Sequence, residues 1–196
     1  MSGYFVHPLA VVDEGAKIGE GTRIWHFAHI RDTAVIGEGC NIGKDVYIDV
    51  NVVIGNNVKI QNGVSVYHGV TIEDDVFLGP HMTFTNDLYP RASGDSWEIS
   101  ETLVKRGASI GANATILCNI VLGEYCMVGS GAVVTANVPR FGLVVGNPAK
   151  LVGFVCKCGI PLSEEKERTK VLVTLHCGKC KEDISISLSD YERKVR

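Results

Sequence analysis

Four cysteines toward the end of the chain have the type and spacing to hold a metal: Cys156-Lys157-Cys158-Gly159 and Cys177-Gly178-Lys179-Cys180. Two tight turns with two thiolates each suit tetrahedral zinc, and a segment of about forty residues has little other means of securing a core. The second pair has the usual two-residue spacer and the first has one. With cysteine at all four positions none stays open for a substrate, so Cys156, Cys158, Cys177 and Cys180 read as a structural zinc site. The alternative is a ribbon without metal that serves as a cap. A second group of reactive types lies in Thr85-Asn86-Asp87-Leu88-Tyr89-Pro90-Arg91-Ala92-Ser93-Gly94-Asp95-Ser96-Trp97. That turn-rich stretch gathers amide, carboxylate, guanidinium and aromatic groups in one loop, where function tends to reside. A tolerated insertion with no role is the bland alternative.

The elements that must position these groups announce themselves by period. Counting in sixes from Val6 gives Val12, Ile18, Ile24, Ile30, Ile36, Ile42, Ile48, Ile54, Ile60, Val66, Ile72, Leu78 and Phe84, and the count resumes at Val104, Ile110, Ile116, Leu122, Val128 and Val134. Four places after each sits a small or branched residue, as in Ala28, Ala34, Cys40, Val46 and Val52, and glycine often follows the aliphatic residue directly, as at Gly19, Gly37 and Gly55. A period of six fits neither a helix nor a long alternating strand. Three such units per turn make a triangular prism whose eighteen-residue coils stack as parallel strands, with the aliphatic ladder inside. The fold class is therefore all-β, a parallel β-helix of hexapeptide repeats with a small zinc-ribbon-like tail. Residues 1–153 are assigned to the β-helix, entered directly after Met1-Ser2, with a loop excursion at 85–103; residues 154–196 are assigned to the tail. Phe84 to Val104 is twenty residues, two more than a coil, so an excursion must break the register there.

Stacking then brings chemistry together. Asn86 is two places after Phe84, and one coil earlier lies His68, two places after Val66. Corners one coil apart lie about 4.8 Å from each other at the backbone. His68 can thus share a small volume with Asn86 as a base or a substrate ligand; an exposed corner histidine is the alternative.

Composition narrows the partners. A formal charge of −3 and a pI near 6.1 offer no basic stripe for nucleic acid or anionic lipid. No stretch of about eighteen apolar residues runs uninterrupted, so a soluble, cytoplasmic protein is expected. Cys40 and Cys126 fall at inward positions as small hydrophobes, and Cys118 reads as an incidental corner residue.

Ile24-Trp25-His26-Phe27-Ala28-His29-Ile30, Phe84-Thr85-Asn86-Asp87 with Tyr89-Pro90-Arg91, Gly107-Ala108-Ser109-Ile110-Gly111-Ala112-Asn113-Ala114-Thr115-Ile116 and Val145-Gly146-Asn147-Pro148-Ala149-Lys150 are more specific than the repeat. They resemble the nucleotide-sugar N-acetyltransferases of the left-handed β-helix superfamily. Residues 4 to 153 are most similar to enzymes that acetylate the 3-amino group of UDP-2-acetamido-3-amino-2,3-dideoxyglucuronate, a step in cell-surface polysaccharide synthesis. The dTDP-3-amino-3,6-dideoxyhexose N-acetyltransferases are a close second. The resemblance implies a left-handed coil, a homotrimer with active sites between subunits, and acetyl-CoA as co-substrate.

Acetyl transfer needs a neutral amine in line with the thioester, an acceptor for its proton and donors for the developing oxyanion. The resemblance makes Asn86 an active-site residue that hydrogen-bonds the reacting region. His68 is the candidate base, though the departing coenzyme thiolate can take the proton instead. Arg23, His26, His29 and Arg31, with Asp87 and Arg91, are candidates for the nucleotide-sugar, because forked guanidinium groups suit pyrophosphate or a sugar carboxylate. Packing at a trimer interface beside Trp25 and Phe27 is the other reading of the two histidines. Ala112 and Ser130, small residues on one corner column, leave room for the pantetheine arm. Lys150 near the end is placed to meet a phosphate, against an ordinary solvated lysine.

Two other classes compete. A trimeric zinc carbonic anhydrase of this fold needs histidines from later coils, and between His81 and His176 there are none. A non-catalytic hexapeptide scaffold that recruits a partner through the ribbon remains open, and stable acetyl-CoA binding separates it from the enzyme.

Overall fold

The computed structural model describes residues 3–93 and 98–194. Met1-Ser2 and the loop segment Gly94-Asp95-Ser96-Trp97, both used in the sequence expectations, lie outside the described residues.

The chain winds as a three-sided coil. The first face carries Phe5–Val6, Arg23–Ile24, Asn41–Ile42, Lys59–Ile60, Phe77–Leu78, Ser109–Ile110, Met127–Val128 and Gly142–Val145; the second runs from Val11–Val12 to Val133–Val134 and the third from Lys17–Ile18 to Val121–Leu122. Up to the insertion each strand pairs in parallel with its counterpart eighteen residues on, as Arg23 with Asn41, His29 with Tyr47 and Val35 with Val53. The ladder residues fill the interior, and from Ile24 to Val134 they are 0–2% exposed. Val6, Val12 and Ile18 are only half-buried, because no earlier coil covers them.

Two positions in each unit make the corner possible, for different reasons. Glycine directly after the ladder residue answers to close approach: a Cβ on Gly37 would come within 2.6 Å of the Gly55 carbonyl carbon one coil above. The third residue after the ladder position adopts positive φ in most units, as Asp45 (57°), Asn51 (58°), Asn57 (57°), Asp75 (60°) and Asn113 (55°). Asn, Asp and Gly tolerate that region best, which accounts for their recurrence at this position. Thr33 and Phe27 adopt it too, at 62° and 59°.

Across the excursion the pairing offset grows from 18 to 32, as Thr83 aligns with Thr115 and Ile72 with Val104. Val104 is therefore the next rung after Phe84, with fourteen residues inserted at a single corner. The strand Thr102–Val104 takes in the last two residues of the excursion expected at 85–103.

Beyond Val145 the chain reverses. Lys150–Val155 runs antiparallel to Gly142–Val145, and Pro161–Leu162 pairs antiparallel with it in turn. One strand thus spans the 153/154 boundary. A three-stranded sheet follows, Glu164–Arg168, Leu172–His176 and Asp183–Ser187, then a short helix Leu188–Glu192. The first of these strands is exposed at every residue and charged at all five, so it carried no apolar alternation to reveal it. Phe141, Phe154 and Cys156 join Val173, Leu175 and Ile186 in one continuous apolar cluster with the prism. The tail thereby covers the C-terminal end of the coil.

Candidate active site

The insertion leaves the prism where the second face turns into the third. Ser65–Val66 and Thr83–Phe84 are neighbouring strands in register there, Ser65 opposite Thr83, so the corner residues after them also stack. Asn86 Nδ2 donates to the main-chain carbonyl of His68 at 3.3 Å. The loop returns over the same corner: Ser100 N–H donates to the Asn86 carbonyl at 3.0 Å and Thr102 N–H to the Gly69 carbonyl at 2.9 Å. Gly69, at φ 94°, is needed because a Cβ there would meet the Ile99 side chain at 2.5 Å. Thr102 Oγ1 is buried close by with no hydrogen-bond partner among the described residues.

A line of polar side chains leads down the prism from this corner. His68 N–H donates to Asp49 Oδ2 at 3.3 Å, and Asp49 Oδ1 accepts from Tyr47 Oη at 3.0 Å and from Val50 N–H at 2.8 Å. Tyr47 Oη accepts from Arg31 at 3.1 Å; Arg31 Nε also donates to Asp13 Oδ2 at 3.1 Å, and His29 Nε2 lies 3.0 Å from Asp13 Oδ1. The hydrogen bond from His29 holds the Asp13 carboxyl below its usual range. Hydrogen bonding to Tyr47 and then Asp13 raises Arg31 further, while loss of water raises the Tyr47 phenol. His68 Nε2 itself is 3.5 Å from Asn51 Nδ2.

The expected nucleotide-sugar residues divide between two places. His29 and Arg31 lie on the second face and its edge, tied through the side-chain line to His68 without a neighbouring subunit. Arg23 is exposed on the first face, and His26 sits on the preceding corner, stacked on His7 at 3.4 Å. A cavity of about 300 Å³ opens beside His26, lined by Trp25, Asn41, Lys44, Gln61 and Asn62. Asp87 accepts from Tyr89 N–H at 2.7 Å and Arg91 donates to the Pro90 carbonyl at 2.8 Å, so both turn to their own loop. Ala112 and Ser130 stack on the corner between the first and second faces, where the Ala112 carbonyl accepts from Gly131 N–H at 2.8 Å. Within one chain that corner is across the second face from Asn86. Lys150 is exposed and borders a cavity of about 200 Å³ with Ala136, Asn137 and Arg193. Cys118 is 3% exposed directly beyond Asn86 in the corner column, its N–H bonded to Thr85 Oγ1 at 3.0 Å. It is a packed residue of the site's wall, which the incidental reading missed.

Asp13, Tyr47, Asp49 and Asn51 also escaped the sequence reading. The signal was present: the position after each rung of the second face reads Asp13, Arg31, Asp49 at eighteen-residue intervals, a column of alternating charge.

The four tail thiols converge. Sγ of Cys156, Cys158, Cys177 and Cys180 all lie within 4.8 Å of one another, with Cys156 to Cys180 at 3.3 Å and Cys158 to Cys177 at 3.6 Å. A tetrahedral zinc with bonds of about 2.3 Å sets its sulfurs about 3.8 Å apart. The donor set and its spacing fit that ion. The main-chain N–H of Cys180 and then that of Lys179 draw the Cys177 thiol down to about 6, while burial pushes Cys156 up to about 12.

Residues 15–49, 51–84 and 101–136 match the family described as bacterial transferase hexapeptide (six repeats). Over 57 residues, 29% of the chain, it is 54% identical to dTDP-3-amino-3,6-dideoxy-α-D-galactopyranose 3-N-acetyltransferase of Aneurinibacillus thermoaerophilus, covering 30% of that protein. Over 64 residues, 33% of the chain, it is 44% identical to serine acetyltransferase 4 of Arabidopsis thaliana, covering 18% of it. Among solved structures, a hexapeptide-repeat acetyltransferase of Vibrio cholerae complexed with acetyl coenzyme A superposes with a TM-score of 0.53 at 24% identity, over 59% of this chain and 67% of that one. The acetyltransferase domain of PglB from Neisseria gonorrhoeae, also with acetyl coenzyme A, gives 0.52 at 21% identity, over 76% and 58%. These two likenesses concern the fold.

Proposed function

The chain belongs to the bacterial transferase hexapeptide family, and from that premise we propose that it is an acetyl-CoA-dependent N-acetyltransferase of the left-handed β-helix type, acting on the 3-amino group of a nucleotide-linked aminosugar. The observation that carries the reading is its similarity to the Aneurinibacillus thermoaerophilus enzyme, whose name specifies that bond. UDP-2-acetamido-3-amino-2,3-dideoxyglucuronate and a dTDP-3-amino-3,6-dideoxyhexose are the two acceptors the sequence motifs support, and that relative favours the dTDP sugar.

In this reading the amine nitrogen attacks the thioester carbonyl carbon, the carbon–sulfur bond breaks, and the amine proton passes to the departing thiolate or to His68. Asn86 holds the reacting groups in line, so that the transfer proceeds between positioned rather than freely diffusing partners. Ala112 and Ser130 leave a path for the pantetheine arm, and Lys150 meets a phosphate. The proposal includes a homotrimer, because Ala112, Ser130 and His26 lie on another corner than Asn86, Arg23 lies on the first face, and a neighbouring chain would bring such surfaces together. Arg23, His26, His29, Arg31, Asp87 and Arg91 are then the nucleotide-sugar side, with Arg31 acting from within its pairing to Asp13 and Tyr47.

Residues 154–196 are proposed as a zinc-ribbon tail on the β-helix of 1–153, with Cys156, Cys158, Cys177 and Cys180 holding one structural zinc. Bound there, the ion would cross-link two turns. Among the described residues no helix is long and apolar enough to cross a membrane; a cytoplasmic location forms part of the proposal.

Calorimetric titration with acetyl-CoA, paired with light scattering, tests this function. Saturable binding by a particle of three chains supports it. A monomer at micromolar concentration, or no binding, sinks it.

A further inference from the structure

The geometry points to Asp49 as a positioning residue for the transfer: its carboxylate fixes the His68 main chain at the N–H, and the carbonyl on the other side of the same residue decides which end of the Asn86 amide faces the acceptor amine. The inference rests on the acetyl-transfer reading above.

The His68 main chain is held on both sides of its Cα, through the peptide that precedes it and the peptide that follows it. Its N–H donates to Asp49 Oδ2 and its carbonyl accepts from Asn86 Nδ2, each at 3.3 Å. A carbonyl can only accept, so the nitrogen end of the Asn86 amide must be the end turned to His68. The Asn86 oxygen is left for a ligand, with no hydrogen bond among the described residues. An oxygen acceptor suits the N–H of an amine nucleophile and cannot stabilise an oxyanion. Asn86 is thereby assigned to orienting the amine, which separates two roles that its residue type alone leaves together.

Asp49 is built to hold this arrangement. Its other oxygen takes the Tyr47 hydroxyl and the Val50 N–H, and Tyr47 is fixed by Arg31, itself anchored on Asp13. A carboxylate accepting three hydrogen bonds has little freedom to rotate, and charge-assisted bonds are the stronger kind. Without it the His68 main chain can shift and carry its carbonyl along, and misplacement by about 1 Å at a reacting centre costs up to about a hundredfold in rate.

The test is a double-mutant cycle on the full-length protein with the acceptor sugar and acetyl-CoA. Asp49→Ala is expected to lower kcat by roughly ten- to a hundredfold with KM for acetyl-CoA little changed, and to cause no further loss in an Asn86→Ala background. Losses that multiply, or wild-type kcat in Asp49→Ala, overturn the assignment. Asp49→Asn runs through the same cycle in case the alanine variant does not fold; its amide oxygen can still accept from His68 N–H, so most of kcat should return. A second readout needs no turnover: the Asn86 side-chain amide resonance, identified by its loss in Asn86→Ala, should shift in Asp49→Ala. If the wild-type chain acetylates no aminosugar, the proposed function fails and this resonance alone decides the coupling. An unmoved resonance overturns it.

Discussion

Asn86 and His68 are eighteen residues apart in sequence and joined in space, side-chain amide to main-chain carbonyl, at 3.3 Å. That contact sets the first residue after the insertion's departure on top of the corner one coil below. The loop's return through Ser100 and Thr102 closes over both. A repetitive prism thereby acquires one corner unlike its others, and the chemistry is assigned there.

Replacing Asn86 by Ala is expected to reduce turnover by about a hundredfold or more, the scale of a lost positioning contact, while circular dichroism and melting temperature stay close to wild type. Steady-state kinetics on the folded variant provide the check. Full activity would move the chemistry to another corner.

His68→Asn distinguishes a base from a ligand. A general base contributes about a hundred- to ten-thousandfold, but a 3-amino group beside electron-withdrawing ring oxygens gives up its proton readily and asks less of the protein. The expected loss in kcat is about tenfold, with KM for the sugar affected more strongly. A drop of a thousandfold or more that high pH restores would make His68 the base.

Metal analysis of protein purified without chelator should find about one zinc per chain. Cys177→Ser should release it and open the tail to limited proteolysis, while acetyl transfer stays largely intact because the residues proposed to react are all on the prism. A folded, metal-free tail in the wild type would favour a simple cap.

The corner rules make a stability prediction. Gly37→Ala forces a Cβ to within 2.6 Å of backbone in the next coil, so thermal melts should show destabilisation by about 1–3 kcal/mol, typical of overpacking against atoms that cannot move aside. Asn57→Gly, at a position with φ of 57°, should be nearly neutral. Equal effects of the two would show that close approach and positive φ are not separate constraints.

The parts of this fold that the sequence announced are those where one physical demand repeats. Ile30, Ile48 and Val66 recur because every coil must fill the same interior, and the period alone located them. Asn86 over His68 followed from the same count. The excursion itself was legible in the broken count, but counting from Phe84 to Val104 does not say how many residues are extra at the corner; pairing of Ile72 with Val104 does. Asp49 and Tyr47 were passed over since each, taken singly, is an ordinary polar residue on an outward position. Their meaning arises only when eighteen-residue neighbours are compared side by side. Glu164–Arg168 gave no sign of being a strand, as an exposed edge strand buries nothing and its charges read as a loop.

The central claim is the acceptor, and the most direct measurement is free thiol release from acetyl-CoA across a panel of UDP- and dTDP-linked 3-aminosugars, with L-serine as a control. Thiol release with a nucleotide-3-aminosugar, at a rate that distinguishes the two nucleotides and with N-acetyl product, is the predicted result. Release with L-serine alone, or with none of the panel although acetyl-CoA binds, would contradict it.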